Sequence, residues 1–234
     1  MPGSVFYKQA SAMGWQQRDS FVLREFYAGN LPDFIKQLHP VRVTFHDSVS
    51  ATTHVGVFYV TPDYFSIGTN DDWVRIPITP MVAKEIADKL KCFLPTRKMV
   101  DDIYKSAAIK LDPMPMYAFR DSTPTMYHHH LIIEGQRKGR NGLIAGIKKD
   151  IVSSSQLKFR PDRVAIYGWH KPDGKPIQPL YLGHVNWYVD YSHGIRLVSR
   201  RIFVDGKMMD YTEVLNHPVL KNLLCDETDC TPVD

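Results

Sequence analysis

The stretch YGWHKPDGKPIQPLYLGHVNWYVDYSHGIRLVSRRIFVDGK, residues 167–207, decides how the chain folds. Apolar, β-rich runs flank it and end it, at residues 163–169 and 195–204, and a shorter one lies at 187–189. Between and after them stand turn signals, Lys171-Pro172-Asp173-Gly174 and Asp205-Gly206. Short strands joined by tight turns pair antiparallel. With a further strand expected over 143–152, the C-terminal half reads as a mostly antiparallel sheet.

Working outward, the N-terminal half alternates its signals. Phe21, Val22 and Phe26, then Phe34, Ile35 and Leu38, recur at helical spacing around the breaker Gly29-Asn30-Leu31-Pro32, which predicts two short helices over 18–38. Val41, Val43 and Phe45 alternate with polar residues and open a small meander, with further strands expected over 54–60, 65–68 and 74–78. Thr79-Pro80 and Thr96 each start a helix with a capping hydroxyl. Residues 111–126 (LDPMPMYAFRDSTPTM) are irregular and proline-rich, the one place where the chain could subdivide. A helix is expected over 127–137 and a last one over 212–224, broken at His217-Pro218. The fold class that follows is α+β, one domain over residues 1–234, with N-terminal helices and the meander packed around the C-terminal sheet.

Composition excludes several classes of function. A formal charge of +4, spread over short clusters such as Arg137–Arg140 and Arg200-Arg201, lacks the long basic tract with interleaved aromatics that marks a nucleic-acid partner. No apolar run reaches membrane-spanning length. No secretory apolar segment opens the chain, and Met1-Pro2-Gly3-Ser4 reads as a processed start. Cys225 and Cys230, in CDETDC, either close a short disulfide loop, as in a secreted or periplasmic protein, or stand as two free thiols. Cys92, beside an amphipathic helix, reads as a buried structural thiol.

The chemistry concentrates in the opening stretch. His170, His184 and His193 are three of ten histidines, and Trp169 and Trp187 two of four tryptophans, set among apolar neighbours that a plain core strand would not mix with them. Asp190 next to His193 would fix one tautomer and strengthen the imidazole as a base. Ser192 adjoins His193, but strand neighbours point to opposite faces, so a direct Ser192–His193 bond needs a sharp turn, which Gly194 would ease. His170 ends an apolar strand, where site residues gather. His184 with His170 and His193 could complete a three-histidine zinc set; the expectation without it is no cofactor. His130 and Glu134 stand one helical turn apart, either an acid–base or metal pair or a solvated surface. In Lys148-Lys149-Asp150, alternation puts Lys148 and Asp150 on one face and Lys149 on the other, and only one face can belong to a site. We take Lys148, Trp169, Trp187 and Tyr191 as the substrate-binding candidates.

Ser192-His193-Gly194-Ile195-Arg196-Leu197 resembles the serine-histidine-glycine-cysteine-isoleucine-arginine-leucine signature of bacterial L,D-transpeptidases, which cross-link peptidoglycan. Ile166–His170 is similar to that family's strand ending in a histidine. The resemblance spans about forty residues. It implies that His170 and His193 flank the reaction site and that Arg196 supports it. The family's cysteine has no counterpart, since Ile195 follows Gly194 directly, so the acyl-thiol route is not implied. The functional expectation is a secreted hydrolase acting on a cell wall or other extracellular polymer or peptide through His193, Asp190, His170, Ser192 and Arg196. The alternatives are a zinc-dependent hydrolase, a polysaccharide lyase, or a non-catalytic glycan-binding protein.

Overall fold

The computed structural model describes residues 1–232. Its architecture is α+β with mostly antiparallel sheets. The helices are α1 (Gly3–Ala10), α2 (Trp15–Tyr27), α3 (Pro80–Lys89), α4 (Arg97–Ser106), α5 (Thr123–Arg137) and α6 (Tyr211–Asn216). The expected caps are in place. The Thr79, Thr96 and Ser122 hydroxyls accept from the first-turn amides of α3, α4 and α5. Ser122 starts α5 four residues before the expected boundary, because Thr123-Pro124 fits a first turn.

The larger sheet runs in the order Lys207–Asp210, Arg201–Val204, Thr52–Val60, Val198–Ser199, Cys92–Phe93, with His39–Asp47 also paired to Thr52–Val60. The N-terminal hairpin therefore does not wrap the C-terminal strands; it lies at their centre, with Val57 opposite Phe203 and Val60 opposite Val198. The Asp205-Gly206 turn forms as expected, with both residues at positive φ, 49° and 80°, the conformation of a two-residue hairpin that follows strand twist.

A second sheet carries the opening stretch, in the order Pro176–Tyr181, Ile166–His170, Lys149–Ile151, His193–Gly194. Two expectations fail here. The strand expected over 143–152 is two, Ile144–Ala145 and Lys149–Ile151. The break is Gly146, whose φ of +105° carries the chain within reach of the Leu111 carbonyl; a Cβ there would lie 2.6 Å from that oxygen. Residues 187–189 form no strand but a turn feeding His193–Gly194, which pairs in parallel with Lys149–Asp150. Against this sheet, Phe6, Phe21, Val22 and Ile86 of α1–α3 share a core with Ile151, Ile166, Val189 and Ile195. The N-terminal helices thus pack on the sheet that bears the candidate residues.

Gly194 does not serve as a conformational hinge, because its φ is not positive. Its role is space: a Cβ would stand 2.5 Å from the Tyr64 ring and 2.9 Å from Lys148 Cβ. Gly194→Ala should therefore lower the free energy of unfolding by about 1–3 kcal/mol through overpacking, read as a lower denaturation midpoint in urea at unchanged slope.

Candidate functional site

Register assembles the site. His193 pairs with Lys149, and Lys149 with Gly168 on its other side. Paired residues on neighbouring strands present side chains to the same face, so the imidazole and the ammonium sit side by side. Gly168 contributes no side chain to the row. Trp169, at φ 59°, turns so that its indole lies 4.8 Å from the Lys149 ammonium.

The turn leading into His193 is built on Asp190, which has no exposed surface. Its Oδ1 accepts from the Ser192 amide at 2.8 Å and the Ser192 hydroxyl at 2.6 Å. Its Oδ2 accepts from Arg120 at 2.9 Å and from the Tyr188 hydroxyl at 3.3 Å. Burial by itself raises such a carboxyl; the neighbouring His193 ring, the Ser192 bonds and Arg120 outweigh it and hold Asp190 down to about 2. It is an anion at every working pH.

His193 is fully buried, its Nε2 is 3.8 Å from Asp190 Oδ1, and neither ring nitrogen has a hydrogen-bond partner. Burial pushes the ring down to about 4, with Lys149 and His184 adding to the shift and Asp190 opposing it. The imidazole is neutral at neutral pH. Its outward neighbours are half-buried rings: His184 and Tyr188, each with its centroid 6.0 Å from His193 and 4.6 Å from each other. Beyond them Trp187 is 49% exposed and stacks on Trp15.

The structure brings together His193, Asp190, His184, Ser192 and Trp169, and sends other candidates elsewhere. His170 does not join. Its Nε2 is bonded to Asp101 of α4 at 2.8 Å, Tyr104 stacks on it at 4.5 Å, and it lines a separate cleft with Lys105 and Lys110. The three-imidazole zinc set therefore does not form, and among the described residues no three His, Cys, Asp or Glu side chains converge as metal ligands. Arg196 braces the fold instead: it donates to the Thr61 and Ile144 carbonyls and lies over the Tyr64 ring. Tyr191 is buried, with its hydroxyl accepting from the Met116 amide, so it offers no face to a ligand. Lys148 points to the opposite face and donates to the Tyr191 carbonyl. Ser192 serves Asp190 and makes no bond to His193. His130 and Glu134 both turn to Arg75, which also takes Asp63 in a bidentate pair, making a buried structural network.

Three members were missed. Alternation alone separated Lys149 from Lys148, and the pairings with Gly168 and His193 choose its row. Tyr188 and Arg120 carry no local signal, and Arg120 arrives from the loop at 111–122, which crosses to the site through the Arg120 carbonyl and the Met116 amide. Cys225 and Cys230 form a disulfide; Cys92 is buried, its thiol pushed up to about 11 by burial alone. No family model, no curated protein and no solved structure matches the chain.

Three buried neutral histidines make the fold acid-sensitive. Burial lowers His193 to about 4 and His129 and His130 to about 2. Each unfolded ring takes its proton near pH 6.5 while the folded one does not, so each removes up to about 1.4 kcal/mol of stability per pH unit below that point. Asp150, raised to about 6 by burial, works the other way, since its folded form protonates first. Urea denaturation should show stability falling by roughly 2–3 kcal/mol per unit between pH 6 and 4, with a shallower fall in His193→Gln; a flat profile would refute the buried neutral rings.

Proposed function

We propose that this protein is a hydrolase of an extracellular polymer, with His193 as the general base and Asp190 as the anion that stabilises the ring once protonated. The observation that carries this reading is a fully buried imidazole with both nitrogens unbonded beside a fixed carboxylate. A buried polar group left unsatisfied costs on the order of 1–3 kcal/mol, so it calls for an explanation, and a catalytic role is one that the adjacent carboxylate supports here. A neutral ring accepts a proton, and the adjacent Asp190 charge favours the imidazolium that results.

The chain offers no activated nucleophile of its own at this point. The Ser192 hydroxyl donates to Asp190, and the Cys92 thiol stays protonated on another strand. Water is therefore the attacking group in this reading, reaching His193 past His184 and Tyr188. The exposed Trp187, backed by Trp15, supplies a flat apolar surface on which a sugar or extended chain can lie. The Cys225–Cys230 disulfide supports an oxidising compartment, and with it an extracellular substrate.

The test is release of soluble fragments from purified cell-wall sacculi and from a panel of polysaccharides. His193→Gln should reduce release by about 10²–10⁴-fold, and Asp190→Asn should follow it, with circular dichroism unchanged in both. Undiminished release in His193→Gln, or no release from any polymer, contradicts the proposal.

A further inference from the structure

The polar atoms around His193 are unbalanced in one direction. Both Asp190 oxygens are used, taking four donors, from Ser192 twice, Arg120 and Tyr188, and the acceptor nitrogen of His193 is the one acceptor left open beside them. More of the donors stand open. Lys149 is only 6% exposed, yet it makes no ion pair among the described residues; its ammonium lies 4.8 Å from the centre of the Trp169 ring. The indole Nε1 of Trp169 is buried with no acceptor. Arg120 Nε is likewise buried and unbonded, although its guanidinium reaches Asp190. Whichever tautomer His193 adopts, one of its nitrogens is a further unpaired donor and the other an unpaired acceptor. Buried donors are bonded in folded proteins. Unpaired donors therefore outnumber unpaired acceptors around Lys149, which points to an absent acceptor.

Charge narrows that acceptor. Apart from Lys148, which faces the other way and is taken by the Tyr191 carbonyl, Lys149 and Arg120 contribute two positive charges and Asp190 one negative, which leaves one positive charge for a partner to neutralise. A monoanion balances it; a dianion overshoots beside a fixed carboxylate in a region of low dielectric. Resting on the acid–base reading of the same site, we infer that the substrate carries a carboxylate that lies against Lys149, with the Trp169 indole N–H and Arg120 as its flanking donors. The carboxylate then anchors the substrate on the row next to His193, where position rather than added acid–base strength fixes the reacting bond.

Acetate and acetamide, equal in shape and different in charge, are the probes. ¹⁵N-labelled wild-type protein should show a saturable shift of the Trp169 indole N–H with sodium acetate at constant ionic strength and none with acetamide. Inorganic phosphate should bind more weakly than acetate. Lys149→Met should weaken acetate at least about tenfold, the loss of one charge-assisted hydrogen bond, while Lys149→Arg, which keeps the cation, should retain it. Tighter binding of D-glucuronate than of acetate would place the carboxylate on a uronic-acid polymer, and tighter binding of N-acetyl-D-alanine would place it on a peptide terminus; both support the proposal. Equal response to acetamide, no saturable response to acetate, tighter binding of phosphate, or undisturbed acetate binding in Lys149→Met overturns it. Acetate binding without turnover of any polymer would sink the hydrolase reading and leave the carboxylate site. Turnover abolished in His193→Gln without acetate–acetamide discrimination would do the reverse.

Discussion

Asp190 holds a full negative charge where water does not reach it. Removing a carboxylate from water costs several kcal/mol even after relaxation, so the surroundings must return that energy through hydrogen bonds and opposite charge. They do so by folding the local chain onto Asp190 and drawing one distant loop to the same point. Ser192 bends the turn back onto Asp190, Tyr188 reaches from the turn's entry, and Arg120 comes from a loop 70 positions away. That demand explains why a proline-rich loop with exposed Tyr117 and Phe119 is nonetheless tied down at Arg120. It also explains why residues 187–189 do not form the expected strand and why the chain turns at 191–192. An extended chain would carry Ser192 away from the carboxylate it serves.

The rest of the site is a consequence of the same turn. Once Asp190 and Ser192 are fixed, His193 enters the sheet against Lys149, and Gly194 follows where the Tyr64 ring leaves no room for a side chain. The imidazole is then close to the anion but not bonded to it. Burial keeps it neutral, and the carboxylate beside it favours the protonated form the moment a proton arrives. The N-terminal helices contribute by packing on the sheet through Ile151, Ile166 and Ile195, which alternation places on the same face as the row of Gly168, Lys149 and His193, so that the row is held in buried surroundings.

Much of this was legible in the sequence because it is local. Capping hydroxyls before α3 and α4, the Asp205-Gly206 hairpin and the dense run from Asp190 to His193 each depend on residues a few positions apart. The pull of Asp101 on His170 is not local; the two are 69 positions apart, and nothing near His170 shows that a carboxylate on a helix will claim it. Arg196 misled for the same reason, since its acceptors are carbonyls of Thr61 and Ile144 in distant segments. The choice between Lys148 and Lys149 was available from strand alternation but needed the partner strand to decide it. The N-terminal hairpin's place at the centre of the larger sheet needed pairings more than a hundred residues apart, such as Val60 with Val198.

The account stands on one property, a His193 ring that stays uncharged and unbonded beside an ionised Asp190. Ring-¹⁵N NMR of the folded protein across a pH series measures it directly. The expected result is a neutral imidazole at pH 6 that begins to take up a proton only near pH 4, with the shift moving upward in Lys149→Met as a neighbouring positive charge is removed. A His193 ring that titrates near pH 6.5, as a solvated imidazole does, would contradict it.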